Sequence, residues 1–173
     1  MLIAMAGLPG SGKSTIADVV GKRLGIAVVS VDPIESAILG AGIAADQPTG
    51  LAAYLVAEKL ASSVLAAGHS IIVDAVNAVG PAREQWVRLA ARRGVQLKFV
   101  EVYCSDPEVH RARLEARSRK LPHITEPTWH GVEQSLDEYS DWDGESGTVD
   151  RLTIDSVESL ELSTDRAISF ITH

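Results

Sequence analysis

The sequence has a single cysteine and no long apolar run, and each of these shortages excludes a class of protein. Cys104 is alone among 173 residues, so an intramolecular disulfide and a zinc site built from several cysteines are both excluded. No stretch reaches the roughly 18 uncharged apolar residues that a membrane helix requires, and the apolar start carries no basic leader. We therefore expect a cytoplasmic protein.

Basic charge is also scarce. Sixteen Lys and Arg residues stand against 23 Asp and Glu residues, which gives a formal net charge of −7. Broad nucleic-acid surfaces are built from clustered Lys and Arg, so a nucleic-acid partner is disfavoured, although it is not excluded. Five of the basic residues nevertheless fall between His110 and Lys120. This concentration of positive charge in an acidic chain indicates a local binding site for one anion.

The length fits one domain with a continuous core, so we expect residues 1–173 to form a single unit. Short β-rich runs alternate with longer helical patterns, which predicts an α/β fold with helices covering a parallel sheet. The predicted strands are 2–6, 27–30, 70–74, 96–103 and 149–155. The predicted helices are 13–24, 51–67, 81–93, 107–117, 128–139 and 164–171. Two candidate helix caps are Asp106 and Ser163.

Residues 7–14 read G-L-P-G-S-G-K-S and match G-x-x-x-x-G-K-[ST] at every fixed position, after an apolar strand and before an amphipathic helix. The glycines let backbone N–H groups surround an anion, and the helix adds its N-terminal dipole. Lys13 would bridge the β- and γ-phosphates of ATP, and Ser14 would ligate Mg²⁺. The predicted nucleotide-binding residues are Gly7, Leu8, Pro9, Gly10, Ser11, Gly12, Lys13, Ser14 and Thr15.

Polar residues follow two predicted strands, at the sheet edge where open parallel sheets bind ligands. We predict that Asp32 orients an acceptor hydroxyl and takes its proton. The alternative is that Asp32 caps a helix, because Pro33 and Glu35 complete a good helix start. Asp74 is predicted to hold Mg²⁺ or to face the acceptor, with a turn as the alternative. Asn77 is equally compatible with acceptor binding and with a turn.

Arg113 and Arg117 lie four positions apart on a predicted helix, so they share a face and can reach one phosphate together. Their guanidinium groups suit the charge that develops during phosphoryl transfer, and a closing lid excludes water. The alternative is a solvated helix face paired with nearby glutamates. We predict a lid at about residues 113–127, with Arg117 also binding the nucleotide. Two neighbouring charges are expected at the surface: Arg111 and Arg119.

Two further residues carry weaker expectations. Trp86 lies among apolar neighbours in a predicted helix and is expected to pack in the core. Ser156 follows the last predicted strand, where loops often contact the nucleotide base, so its position alone suggests a place in the site.

With these residues in view, the chain resembles the P-loop kinases grouped with chloramphenicol phosphotransferase, the polynucleotide kinase domain, zeta toxins and gluconate kinase. The resemblance rests on residues 7–14 and on three segments: V-S-V-D-P-I-E with Asp32, I-I-V-D-A-V-N with Asp74, and C-S-D-P-E-V-H-R-A-R-L-E-A-R with the two arginines. It implies a three-layer P-loop fold with a five-stranded parallel sheet of order 2-3-1-4-5. It also implies that Asp32 is the base and that the lid carries arginines.

One position departs from this pattern. Members that resemble the polynucleotide kinase carry an arginine three residues after the aspartate, and Glu35 stands there in this chain. The departure favours a neutral or cationic acceptor such as a sugar, a nucleoside or an antibiotic. Arg83 resembles an acceptor-side arginine of the group. The prediction is an ATP-dependent kinase of a small-molecule hydroxyl; the alternatives are a polynucleotide 5′-hydroxyl kinase and a non-catalytic ATP-binding regulator.

Overall fold

The computed structural model describes residues 1–117 and 121–173. The strands are β1 (Leu2–Ala6), β2 (Ala27–Ser30), β3 (Ile71–Asp74), β4 (Leu97–Tyr103) and β5 (Arg151–Asp155). The helices are α1 (Lys13–Leu24), α2 (Val31–Gly40), α3 (Thr49–Ala66), α4 (Gly80–Arg93), α5 (Pro107–Glu115), α6 (Trp129–Asp137) and α7 (Leu160–Thr172).

The five strands form one parallel sheet in the order β2-β3-β1-β4-β5, which confirms the topology implied by the resemblance. Asp74 pairs with Ser30 on one side and with Met5 on the other, so β2, β3 and β1 end side by side. Strands β1 and β3 are buried along their whole length. Their unbroken apolar sequences follow from this, because helices cover both faces of the sheet.

Two apolar clusters lie on opposite faces of the sheet. On one face, α3 and α4 pack around Trp86 and Phe99. On the other, α1 and α7 pack around Ile3 and Ile72. Trp86 is fully buried, which confirms its predicted packing role. None of the described helices is both long and apolar enough to cross a membrane.

Helix α2 is not among the predicted helices, although Pro33 and Glu35 indicate a helix start at this point, and it carries the predicted base. It begins at Val31, directly after β2, with Ser30 at the cap position. Asp32 is therefore the second helical residue, and its predicted alternative as the helix cap is wrong. The direct passage from β2 into α2 keeps Asp32 at the carboxyl edge of the sheet, close to the end of β3.

The two cap predictions had different outcomes. The Asp106 carboxylate accepts hydrogen bonds from the N–H groups of Glu108 and Val109, which confirms it as the cap of α5. Helix α7 begins four residues earlier than predicted, and its cap is Ser159. The prediction for Ser163 is therefore wrong, because that residue is buried inside the helix.

Candidate active site

The turn between β1 and α1 is built from backbone that side chains would obstruct. Three of its glycines have positive φ: 138° at Gly7, 84° at Gly10 and 92° at Gly12. A Cβ on Gly7 would lie 2.1 Å from the carbonyl oxygen of Val102, so the loop approaches β4 more closely than any side chain permits. Gly12 caps α1 without a side-chain hydrogen bond. The loop therefore presents a helix N-terminus to a ligand, which is the arrangement that binds anions.

A cavity of about 380 Å³ opens in front of this loop. Its floor is the start of α1, and two arginines from α5 and the chain beyond it close one side. The predicted nucleotide-binding residues that line it are Leu8, Gly10, Gly12, Lys13, Ser14, Thr15, Arg113 and Arg117. Gly7, Pro9 and Ser11 complete the loop but are not among the lining residues.

Lys13 and Asp74 form a buried ion pair at the base of the cavity. The Lys13 Nζ lies 3.5 Å from Asp74 Oδ1, and both side chains are less than a tenth exposed. Ser30 donates a hydrogen bond of 3.1 Å to the other carboxylate oxygen, Oδ2. Within the described residues, Asp74 Oδ1 is buried without a hydrogen-bond partner. The pair places the predicted metal ligand directly beside the predicted phosphate-binding lysine.

The oxygens at this point fit Mg²⁺. Magnesium prefers oxygen ligands and usually takes one or two from the protein, with waters and substrate phosphates supplying the rest. Asp74 Oδ1 has an unused acceptor site beside Lys13, and Ser14 follows Lys13 in the cavity lining. In the described ranges, no cluster of three or more His, Cys, Asp or Glu side chains could hold a metal. A dedicated protein cage is not required for a metal that travels with a nucleotide.

Asp32 is one-third exposed, and its Oδ2 lies 3.9 Å from the Nη2 of Arg117, which lines the cavity. The structure thus brings together the predicted base and one predicted lid arginine. Tyr54 on α3 belongs to the same region, because burial and the negative charges of Asp32 and Asp74 raise the pKa of its phenol. The Tyr54 oxygen accepts a hydrogen bond of 3.2 Å from the Asn77 N–H.

Sequence reasoning missed Tyr54. Its only signal is a tyrosine in a helix whose buried face consists mainly of alanines, Ala53, Ala57 and Ala61. Such a pattern is typical of core packing and does not by itself indicate a site. The contribution of Tyr54 depends on the packing of α3 beside β3, which local spacing does not reveal.

The two arginines line one cavity but are held differently. Arg113 donates to the Ser156 hydroxyl at 2.8 Å and to the Ser156 carbonyl at 2.9 Å, which ties α5 to the loop after β5. Arg117 lies beyond the last residue of α5, so the prediction that both share one helix face is wrong. Ser156 also lines the cavity, in agreement with the suggestion from its position.

The two arginines expected at the surface are Arg111, which the structure describes, and Arg119, which lies outside the described residues. Arg111 is exposed and forms an ion pair of 2.8 Å with Glu115 one turn later, which confirms a surface position. Arg119 and the middle of the predicted lid, residues 118–120, lie outside the described residues. Beyond them, the Pro122 carbonyl accepts a hydrogen bond from the buried Ser36 hydroxyl of α2. The described end of the predicted lid therefore rests on the helix that carries Asp32.

Asn77 is built into the fold. Its side chain is fully buried, with Nδ2 donating to the Met5 carbonyl at 2.7 Å and Oδ1 accepting from the Trp86 indole at 2.9 Å. Its φ of 49° is the left-handed conformation typical of a turn. These contacts connect the end of β1 with the loop after β3, and of the two predicted alternatives they favour the turn over acceptor contact.

Arg83 is likewise buried rather than presented to an acceptor. Its side chain is fully inaccessible, and its guanidinium lies 4.1 Å from the centre of the Trp142 ring. It donates to four backbone carbonyls at 2.7–2.9 Å: those of Asn77, Ala78, Ser140 and Asp141. These contacts correct the expected acceptor-side role, because Arg83 instead joins the loop after β3 to the chain after α6.

Comparison with known proteins identifies a matching family model and several similar solved structures. The family model of the AAA domain matches residues 2–140, whereas no curated protein matches the chain in sequence. A sugar kinase from Janibacter sp. HTCC2649 superposes with a TM-score of 0.73 at 18% identity, covering 99% of this chain and 94% of that one. A gluconokinase from Sinorhizobium meliloti 1021 gives 0.70 at 17% identity, covering 98% and 90%.

The third comparison structure contains ligands. The APS kinase of Mycobacterium tuberculosis, solved in complex with AMPPNP and APS, gives a TM-score of 0.66 at 22% identity and covers 99% of this chain and 97% of that one. At such identities the likeness concerns the fold. Because the family model covers most of the chain and these similar structures are kinases, the chain belongs to the AAA domain family and has the P-loop kinase fold.

Proposed function

We propose that this protein is a kinase that transfers the γ-phosphate of ATP to a hydroxyl of a small neutral or cationic molecule. The observation that carries the proposal is the pairing of charges in the cleft. Lys13 lies beside Asp74, and Arg117 lies beside Asp32. Phosphate-binding cations thus lie next to a carboxylate that is able to take a proton.

The nucleotide side is formed by the loop of residues 7–14 and the cavity in front of it. Backbone N–H groups and Lys13 bind the phosphates, while the cavity continues past Arg113 towards Ser156 and Leu160, where a nucleoside has room. Ser14 and Asp74 would hold Mg²⁺. When bound, the metal neutralises negative charge on the phosphate oxygens.

The acceptor side is formed by α2 and α3. As the acceptor oxygen bonds to the γ-phosphorus, its hydroxyl proton passes to the Asp32 carboxylate. The bond between that phosphorus and the β,γ-bridging oxygen breaks, and ADP leaves. Arg113 and Arg117 stabilise the negative charge spread over the transferring group. Tyr54 lies near both carboxylates and offers a neutral hydroxyl for orienting the acceptor.

The charge of this region favours an acceptor without phosphate. Glu35 is held between α2 and α3 by a hydrogen bond of 2.8 Å from the Thr49 hydroxyl to its Oε1. Asp32 and Asp74 are each paired with a cation, so Glu35 adds a further carboxylate to this wall, and a phosphorylated acceptor would meet like charge at Glu35. A sugar, a nucleoside or an amine-bearing antibiotic is the better match.

Transfer of labelled phosphate from ATP tests the proposal. The acceptors are a panel of sugars, nucleosides and aminoglycosides, with a 5′-hydroxyl oligonucleotide as the competing class. With a productive acceptor, Asp32→Asn should lower kcat by about 10²–10⁴ and leave ATP binding unchanged, since a general base contributes that much. Asp46→Asn, an exposed aspartate in the loop before α3, is the matched control and should keep parental activity.

Three results would contradict parts of the proposal. Transfer by Asp32→Asn within about threefold of the parent would remove the base assignment. Labelling of the oligonucleotide alone would replace the acceptor class. Tight ATP binding without transfer to any acceptor would favour a regulatory protein over an enzyme.

A further inference from the structure

A second cavity lies behind the phosphate loop, between the end of β4 and helix α6. Its volume is about 370 Å³, which is in the lower range of small-molecule sites. It shares only Leu8 with the nucleotide cavity among the described lining residues. Tyr103 and Leu136 stand at its mouth, 46% and 52% exposed. The space is therefore open to solvent and separate from the proposed reaction centre.

The inner end of this cavity carries an unused polar group. Ser11 belongs to the phosphate loop, yet it lines the second cavity and not the first. The residue is 1% exposed, and its hydroxyl has no hydrogen-bond partner within the described residues. An unpartnered buried hydroxyl has a free-energy cost that a ligand with one polar atom would remove.

Several other polar side chains that line the cavity already have partners. Glu101 Oε1 accepts hydrogen bonds from Tyr139 at 2.9 Å and from Trp142 at 2.8 Å. Its Oε2 accepts from Thr153 at 3.2 Å. The His110 Nε2 lies 2.8 Å from the Pro9 carbonyl. Among the buried polar side chains that line the described cavity, Ser11 is the one without a partner, whereas Tyr103 lies at the exposed mouth. No lysine or arginine lines the described cavity to hold an anion.

The remaining walls of the cavity are aliphatic and aromatic, so they favour a flat apolar ligand. The aliphatic side chains of Leu8 and Leu136 and the rings of Tyr103 and Tyr139 surround the space. Aromatic rings pack well against such surfaces, in stacked or edge-on arrangements. We propose that this cavity is a binding site for a neutral aromatic molecule of one or two rings, whose single polar group bonds to the Ser11 hydroxyl. The site is independent of the kinase activity proposed above.

Phenol and toluene are the probes, because they share a shape and differ by one hydroxyl, and benzoate serves as the charged counterpart. Each is titrated into the ¹⁵N-labelled protein, and amide resonances are followed by NMR. Phenol and toluene should give saturable shifts at Tyr103, Cys104 and Tyr139, whereas benzoate should not. Ser11→Ala should weaken phenol binding by about five- to tenfold, the effect of one hydrogen bond. Toluene binding should stay within about twofold of the parent, because it makes no such bond.

A second variant tests the position of the binding site without changing the phosphate loop. Leu136→Lys places a charge at the mouth and should weaken both probes at least about tenfold. Leu60→Lys, on the comparably exposed α3 position, should leave them unchanged. The proposal fails if no shift saturates up to about 5 mM, a range expected of fragments this small. It also fails if shifts centre on Ser14 and Thr15, or if Ser11→Ala weakens phenol and toluene equally.

Discussion

Replacing Arg83 by Met distinguishes a structural arginine from one that binds the acceptor. The substitution keeps most of the apolar stem and removes the charged group that donates to four carbonyls and lies over Trp142. Breaking a buried charged network leaves its acceptors unsatisfied and costs about 3–5 kcal/mol of unfolding free energy. In a chain of this length, that loss lowers Tm by roughly 10 °C.

The assay combines thermal and urea unfolding with phosphate-transfer kinetics. Arg83→Met should show the large drop in stability, and the remaining folded fraction should have a near-parental KM for the acceptor. Arg83→Lys should lie between, because an ammonium cannot reproduce the planar set of donors. Arg88→Met, on the exposed side of the same helix, is the control and should change Tm little. A parental Tm with a raised acceptor KM would refute this reasoning and restore the acceptor-binding role.

Two further predictions concern the phosphate loop and pH. Gly7→Ala should lower ATP affinity at least about tenfold in calorimetry, because the Cβ would meet the Val102 carbonyl. Gly25→Ala is the control and should retain ATP binding, because the space around Gly25 is open. Equal losses of affinity in the two variants would contradict this argument. Burial and the nearby Glu101 carboxylate raise the pKa of Tyr139, so its stabilisation is complete below the unfolded pKa of about 10 and is lost as pH rises. Between about pH 10 and 12, Tyr139→Phe should therefore lose unfolding free energy less steeply than the parent, and parallel slopes would exclude this contribution.

The sheet was predictable because its signals are local. Every predicted strand corresponds to an observed one within two residues at each end, since buried parallel strands read as short apolar runs between helices. The phosphate loop follows from fixed spacing between a strand and a helix. Helix α2 is not among the predicted helices, because it follows β2 with no turn residues between them and only Pro33 and Glu35 indicate its start.

Side-chain roles depended on long-range contacts and were less predictable. Arg83 bonds to carbonyls 57 and 58 positions further along the chain, and nothing in its local sequence indicates them. The Asn77 amide reaches Met5, 72 positions earlier. Local sequence suggests an acceptor-side role for Arg83 and leaves Asn77 open between a ligand contact and a turn, whereas in the fold both side chains connect neighbouring loops.

Helix α2 touches the segment around the arginines at two points one turn apart, Asp32 against Arg117 and Ser36 against the Pro122 carbonyl. A bulky acceptor that displaces α2 outwards would strain both contacts at once, and a small one would strain neither. In the proposed reaction, the dimensions of the molecule next to Asp32 would thus be transmitted to the Arg117 guanidinium. Acceptor size and charge neutralisation would then be linked through one short helix.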